Sequence, residues 1–293
     1  MSDSPLRLAL ISHPDNLPAR FEALRRVRGG EVTVTADSME AVPGGDGEFD
    51  AAVVESSAAA ARAIAAGKHV LVAAPAADSQ QEAGMLLKAA EEAGVFLAVG
   101  GLAVNVPANR VILDRLSSGK LGEPGLLRVH CWSGGSTRPL ASKLYGHIDL
   151  AIRFFGSSPA ELYCVARGDQ SYLQAHLGFA GGGMAVLDFS DRLPSGQGYD
   201  SLSLIGSSGA AYSDDHHNTH LLFTGGHPAA LIDDCGEGLA HEVQGFVDAV
   251  AGEEAPEINR EVVLDVHRVM EGIERSSQAA QVLHERGGSY EPV

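Results

Sequence analysis

Strand-like and helix-like stretches alternate through the first hundred residues, and this alternation constrains the fold most. "LRLALI" is a short apolar run, and Phe21 and Leu24 recur after it at helical spacing. "EVTVTAD" alternates with period two, and "DAAVVES" is apolar again. The Ala-rich "AAAARAIAAG" predicts a helix stopped at Gly67. "KHVLVAA" reads as another strand, and "SQQEAGMLLKAAEEAG" as an amphipathic helix with Ser79 as N-cap and Gly94 beyond its end. "VFLAVGG" is strand-like once more. Strands separated by helices of this length predict a parallel, doubly wound sheet.

The pattern then changes. After "VPANRVILDRLSSGKLGEPG", a helix and its stop, strands follow one another: "LLRVHCW", "AELYCVA", "LQAHLGFA", "GMAVLDFS", "DSLSLIG" and "THLLF". Gly and Asp turns separate them, as in an antiparallel sheet. One helix, "LYGHIDLAIRFFG", interrupts this run. "HEVQGFVDAVAG" and the stretch from "REVVLDVHRVMEG" through "VLHERG" are helical by period. The expected fold class is α/β: a Rossmann-like doubly wound sheet over residues 1–120, then an α+β domain on a mostly antiparallel sheet over residues 121–293.

Charge narrows the partners. Lys+Arg number 21 against 38 Asp+Glu, and the net charge of −17 repels phosphate backbones and anionic membranes. No nucleic-acid or membrane partner is expected. No apolar run is long enough to span a bilayer. "MSDSPLR" lacks a basic-then-apolar signal segment, so the expected location is the cytoplasm. Cys131, Cys164 and Cys235 are scattered and odd in number, which fits reduced thiols, with Cys131 and Cys164 in apolar strands as core filler.

Five stretches, in order, resemble the Gfo/Idh/MocA family of NAD(P)-dependent sugar and polyol oxidoreductases. "AGKHVLVAAP" is similar to the strand that ends in that family's Glu-Lys-Pro, and "EEAGVFLAVGG" to the helix and strand that follow. "LSSGKLGEPGLLRVH" resembles the start of the second domain, and "GHIDLAIRFFG" its catalytic helix. The last, "FVDAVAGEEAPEINREVVLDVHRVMEGIERSS", resembles the closing helical segment.

The same resemblance shows what this chain has lost. The family's first turn carries Gly-x-Gly-x-x-Gly, and ungapped matching places Ser12, Pro14 and Leu17 there. Those glycines allow the tight turn, the approach of the pyrophosphate and close helix packing. Pro14 removes an N–H donor and adds a ring where phosphate should approach. Asp15 is expected to cap the first helix and to repel phosphate, with a typical cap loss of about 1 kcal/mol on removal. The family's catalytic Lys falls at Ala74, which can neither give nor take a proton. In "VVESSAAAARAIAAG" the loop after the third strand is shorter than the family's by about five residues, on loop-length reasoning. In the second-domain helix the family's Asp and His fall at Ser142 and Gly146, although His147 lies one step along. Asp37, at the end of the second strand, matches the residue that binds the adenosine ribose; its plain alternative is a turn or cap residue.

Lys143, His147 and Asp149 are the candidates for catalysis, with Lys143 and His147 four apart on one helix face. The plain alternative is a solvated turn in which Asp149 pairs with Arg153. Trp132 and Tyr145 are candidates for stacking on a sugar, or core. "SDDHHNTHLLF" gathers Asp214, Asp215, His216, His217 and His220, but strand alternation splits them between two faces, so no metal is expected.

These readings predict a non-redox homologue: a binding, partner or regulatory protein, or a cofactor-independent activity on a carbohydrate-like ligand. No cofactor is expected. The alternative is an active NAD(P)-dependent sugar or polyol dehydrogenase with an atypical loop, using NAD or NADP. The resemblance also implies a homo-oligomer, dimer or tetramer, formed through the second domain's sheet.

Overall fold

The computed structural model describes residues 4–38, 48–134, 140–167, 171–194, 197–214, 219–223, 229–230, 238–252 and 260–292. In chain order the first elements are β1 (Leu6–Ile11), α1 (Leu17–Leu24), β2 (Gly30–Ala36), β3 (Ala51–Val54), α2 (Ser57–Ala65), β4 (His69–Ala73), α3 (Gln80–Ala93) and β5 (Leu97–Gly100). There follow α4 (Pro107–Ser117), β6 (Pro124–Ser133), α5 (Leu140–Phe155), β7 (Glu161–Ala166), β8 (Tyr172–Gly178), β9 (Met184–Ser190) and β10 (Gly198–Gly206). The chain ends with β11 (Ala210–Asp214), β12 (Thr219–Phe223), β13 (Ala229–Ala230), α6 (Gly238–Ala251), α7 (Arg260–Ala279), β14 (Leu283–Arg286) and β15 (Ser289–Pro292).

Two compact units result. The first comprises residues 1–101 and 236–264, the second residues 102–235 and 265–293. This differs from a single division near residue 120. Helix α4 contacts α5 and β11, while α6 returns to pack on α1, β4 and β5. Leu8, Leu10, Val53 and Leu71 form one core with Val243, Phe246 and Val247 of α6. A late helix therefore completes the first sheet's cover, which no local pattern announces.

The first unit's sheet has the order β2-β1-β3-β4-β5, with all neighbours parallel. β3 is buried along its whole length, and β2, at the edge, alternates. The caps follow the local chemistry. Ser56 Oγ accepts from the Ala59 N–H, Ser79 Oγ accepts from the Glu82 N–H, and Gly94 closes α3 in the left-handed region.

The second unit carries a ten-stranded sheet, β13-β12-β11-β10-β6-β9-β8-β7-β14-β15. All its pairs are antiparallel except β6 with β9. Leu127, Val129 and Cys131 of β6, and Ala185, Leu187 and Phe189 of β9, turn to the buried face. The residues between them face the other way. The helical reading through "VLHERG" is corrected: α7 stops at Ala279, and Leu283–Arg286 is a strand. Gly287 and Gly288, both at positive φ, turn it into a hairpin with β15. Two consecutive left-handed residues suit a two-residue hairpin turn, and this outweighs the helical period before it.

Among the described residues, no helix is long and apolar enough to cross a membrane.

Candidate functional site

A cavity of about 160 Å³ opens at the C-terminal ends of β1, β2 and β3. Ser12, His13, Asp37, Glu55, Ser56 and Arg62 are among its lining residues. In a parallel sheet this end gathers the loops that follow the strands, where ligands of open α/β sheets bind. Asp37, the candidate remnant of cofactor binding, stands exposed at this rim. Ser12 is 2% exposed, and its hydroxyl has no hydrogen-bond partner among the described residues.

The turn after β1 is organised by Glu55, which sequence reasoning missed. β3 lies beside β1 with Ile11 opposite Val54, so the residue after each strand meets the other's successor. The Glu55 carboxylate accepts the His13 N–H at 2.7 Å and the Asn16 Nδ2 at 3.1 Å, and pairs with Arg20 at 3.0 Å. Asp15 is not the cap. Asn16 holds that position without a side-chain cap bond, and the Asp15 carboxylate is 84% exposed, 3.5 Å from His13. Pro18 sits in the first turn of α1, where a missing N–H costs nothing. The signal available in sequence was an acid just past the strand expected beside β1.

The His13 N–H, the Asn16 amide and the Arg20 guanidinium, the kinds of donor that hold an anion, are engaged by the Glu55 carboxylate. At the end of β4, Ala74 is 5% exposed, and its N–H is bonded to the Gly100 carbonyl.

In the second unit, the structure does not unite the other candidates. His147 is 8% exposed on α5, its Nδ1 donates to the Lys143 carbonyl at 2.8 Å, and its ring meets Phe189 edge-on at 5.3 Å. The contact with Lys143 is therefore to its backbone. Asp149, 3% exposed, is engaged by the Arg153 guanidinium at 2.8 Å. Tyr145, 1% exposed, packs edge-on against His267, and burial raises the pKa of its phenol. Its placement with a substrate is corrected: a ring so enclosed has no face to offer a sugar.

Trp132 lies on the sheet face opposite Phe189, because β6 pairs Cys131 with Phe189 and alternation turns the next residue away. There it joins His130 at 5.7 Å and Tyr199 at 5.7 Å. His130 donates to the buried Asp188 at 3.1 Å. Trp132 and His147 thus belong to different faces, and the expected single site does not form.

Cys131 and Cys164 are buried and form no disulfide among the described residues, and burial pushes the pKa of the Cys164 thiol up to about 12. Asp215, His216, His217 and Cys235 lie outside the described residues, and Asp214 and His220 fall on the paired strands β11 and β12.

A Rossmann-like unit joined to a ten-stranded mixed sheet defines the class. The chain has the fold of the NAD-binding Gfo/Idh/MocA oxidoreductases, the family its sequence resembles. It superposes on GenD2 from gentamicin A biosynthesis, in complex with NAD, with a TM-score of 0.82 at 19% identity over 97% of both chains. On myo-inositol 2-dehydrogenase from Lactobacillus plantarum the TM-score is 0.78 at 16% identity, over 97% of this chain and 100% of that one. A 90-residue stretch is 37% identical to 1,5-anhydro-D-fructose reductase from Ensifer adhaerens. That match spans 29% of this chain and 27% of the reductase, about a quarter of the relative's length. No family model matches the chain.

Proposed function

We propose that this chain is a non-redox member of the dehydrogenase fold, a cytoplasmic binding or regulatory protein for a small, uncharged, sugar-like ligand. The observation that carries the reading is the Glu55 carboxylate on the His13 N–H, where a pyrophosphate would have to bond. Loss of an ionisable group at Ala74 supports it independently. Asp37 and the serine hydroxyls of the cavity suit a polyol, since a carboxylate accepts from adjacent hydroxyls. At about 160 Å³ the cavity lies below the roughly 300–1,000 Å³ of drug-sized pockets, which favours a single ring.

One observation favours the second reading, an NAD(P)-dependent sugar or polyol dehydrogenase with an atypical loop: Asp37 remains at the end of β2 and lines the cavity. Titration of the purified protein with NADH and NADPH, followed by nicotinamide fluorescence and calorimetry, separates the two. The expected result is no saturable binding below about 1 mM, the weak end of the affinity scale. Micromolar binding replaces the first reading with the second.

We also propose a homo-oligomer built on the open face of the ten-stranded sheet, which presents Val165, Tyr172, Met184, Ile205 and Tyr212, each at least 37% exposed. An apolar face of this kind calls for cover. Sedimentation is expected to give a dimer or tetramer, and Ile205→Glu a smaller species. A wild-type monomer at every concentration rejects this assembly.

A further inference from the structure

We infer that the Glu55 carboxylate is an internal substitute for a phosphate, and that this one side chain makes the cavity reject phosphate-bearing ligands. The inference rests on the non-redox reading and names the residue that enforces it. Three donors of different kinds converge on the carboxylate: a backbone N–H, a side-chain amide and a guanidinium, all within 3.1 Å. That donor set is the one an anion-binding turn offers, with α1 behind it adding the positive end of its dipole.

Asn16, at the N-cap position, makes no cap bond and gives its amide to Glu55 instead. The Ser12 hydroxyl, buried and without a partner among the described residues, lines the same cavity and stands as a further donor beside the turn. Such a group is costly to bury unpaired and is explained by a ligand that completes it.

Removing the carboxylate leaves these donors unsatisfied around a space the side chain used to fill. Phosphate should then bind where Glu55 was. Its stabilising effect follows from binding the native state alone.

Thermal unfolding of wild type, Glu55→Ala and Glu55→Gln, in inorganic phosphate and in chloride of equal ionic strength, tests this. Phosphate is expected to raise the midpoint of Glu55→Ala by about 2–4 °C beyond its general salt effect. Wild type and Glu55→Gln, whose side chains still fill the space, should show only the general effect. An equal shift in all three, or none in Glu55→Ala, overturns the inference. If Glu55→Ala is unfolded in chloride, recovery of its far-UV signal in phosphate reads the same linkage, and no recovery also overturns it. NADH binding by the wild type defeats the non-redox reading itself, whatever the variants do.

Discussion

Glu55→Ala is expected to lower the free energy of unfolding by about 2 kcal/mol, and Asp15→Ala by less than about 0.5 kcal/mol. The two residues carry the same charge near the same helix, so the contrast isolates geometry. Glu55 and Arg20 are 24% and 21% exposed, enough enclosure for their hydrogen bonds to count. A hydrogen bond to a charged group is worth about 1.5–3 kcal/mol, and Glu55 makes several. Water on the open side of the turn returns part of that loss. Asp15 is largely solvated, and surface pairs of that kind contribute little. Urea unfolding of both variants measures the difference. Equal costs for the two would mean that Glu55 does not organise the turn.

A larger loss is expected in the second unit. Asp149→Ala should cost about 3–5 kcal/mol, because it takes the paired carboxylate away from a largely buried guanidinium. Asp149 and Arg153 have side-chain exposures of 4% and 18%, and their contact spans one helical turn of α5. Replacing both, as Asp149→Leu with Arg153→Met, should recover most of the stability, since an apolar pair of similar size leaves no charge behind. Denaturant unfolding of the single and double variants gives the comparison. A loss below about 1 kcal/mol for the single change would show that water reaches the pair. A large loss would show that Asp149 and Arg153 hold this turn of α5 together.

Much of the architecture was legible in the residues. Strand and helix alternation up to Gly101, the caps at Ser79 and Gly94, and the buried cysteines of β6 and β7 all follow from local pattern. Backbone propensity, capping and side-chain period are settled within a few residues, so they leave a trace in any short window. The turn at Gly287-Gly288 left such a trace too, but a long helical period ran up to it and hid it.

What decided the sites was not local. His13 and Glu55 are 42 residues apart and meet only because β3 pairs with β1. Their hydrogen bond follows from strand order, which the apolar runs do not specify. Trp132 and His147 are only 15 residues apart, yet the register of β6 with β9 sends them to opposite faces of one sheet. The sequence by itself determined most of the segments that become strands and helices. Only the tertiary structure decided that the Glu55 carboxylate meets the turn after β1, because that contact is made by neighbouring strands and not by neighbouring residues.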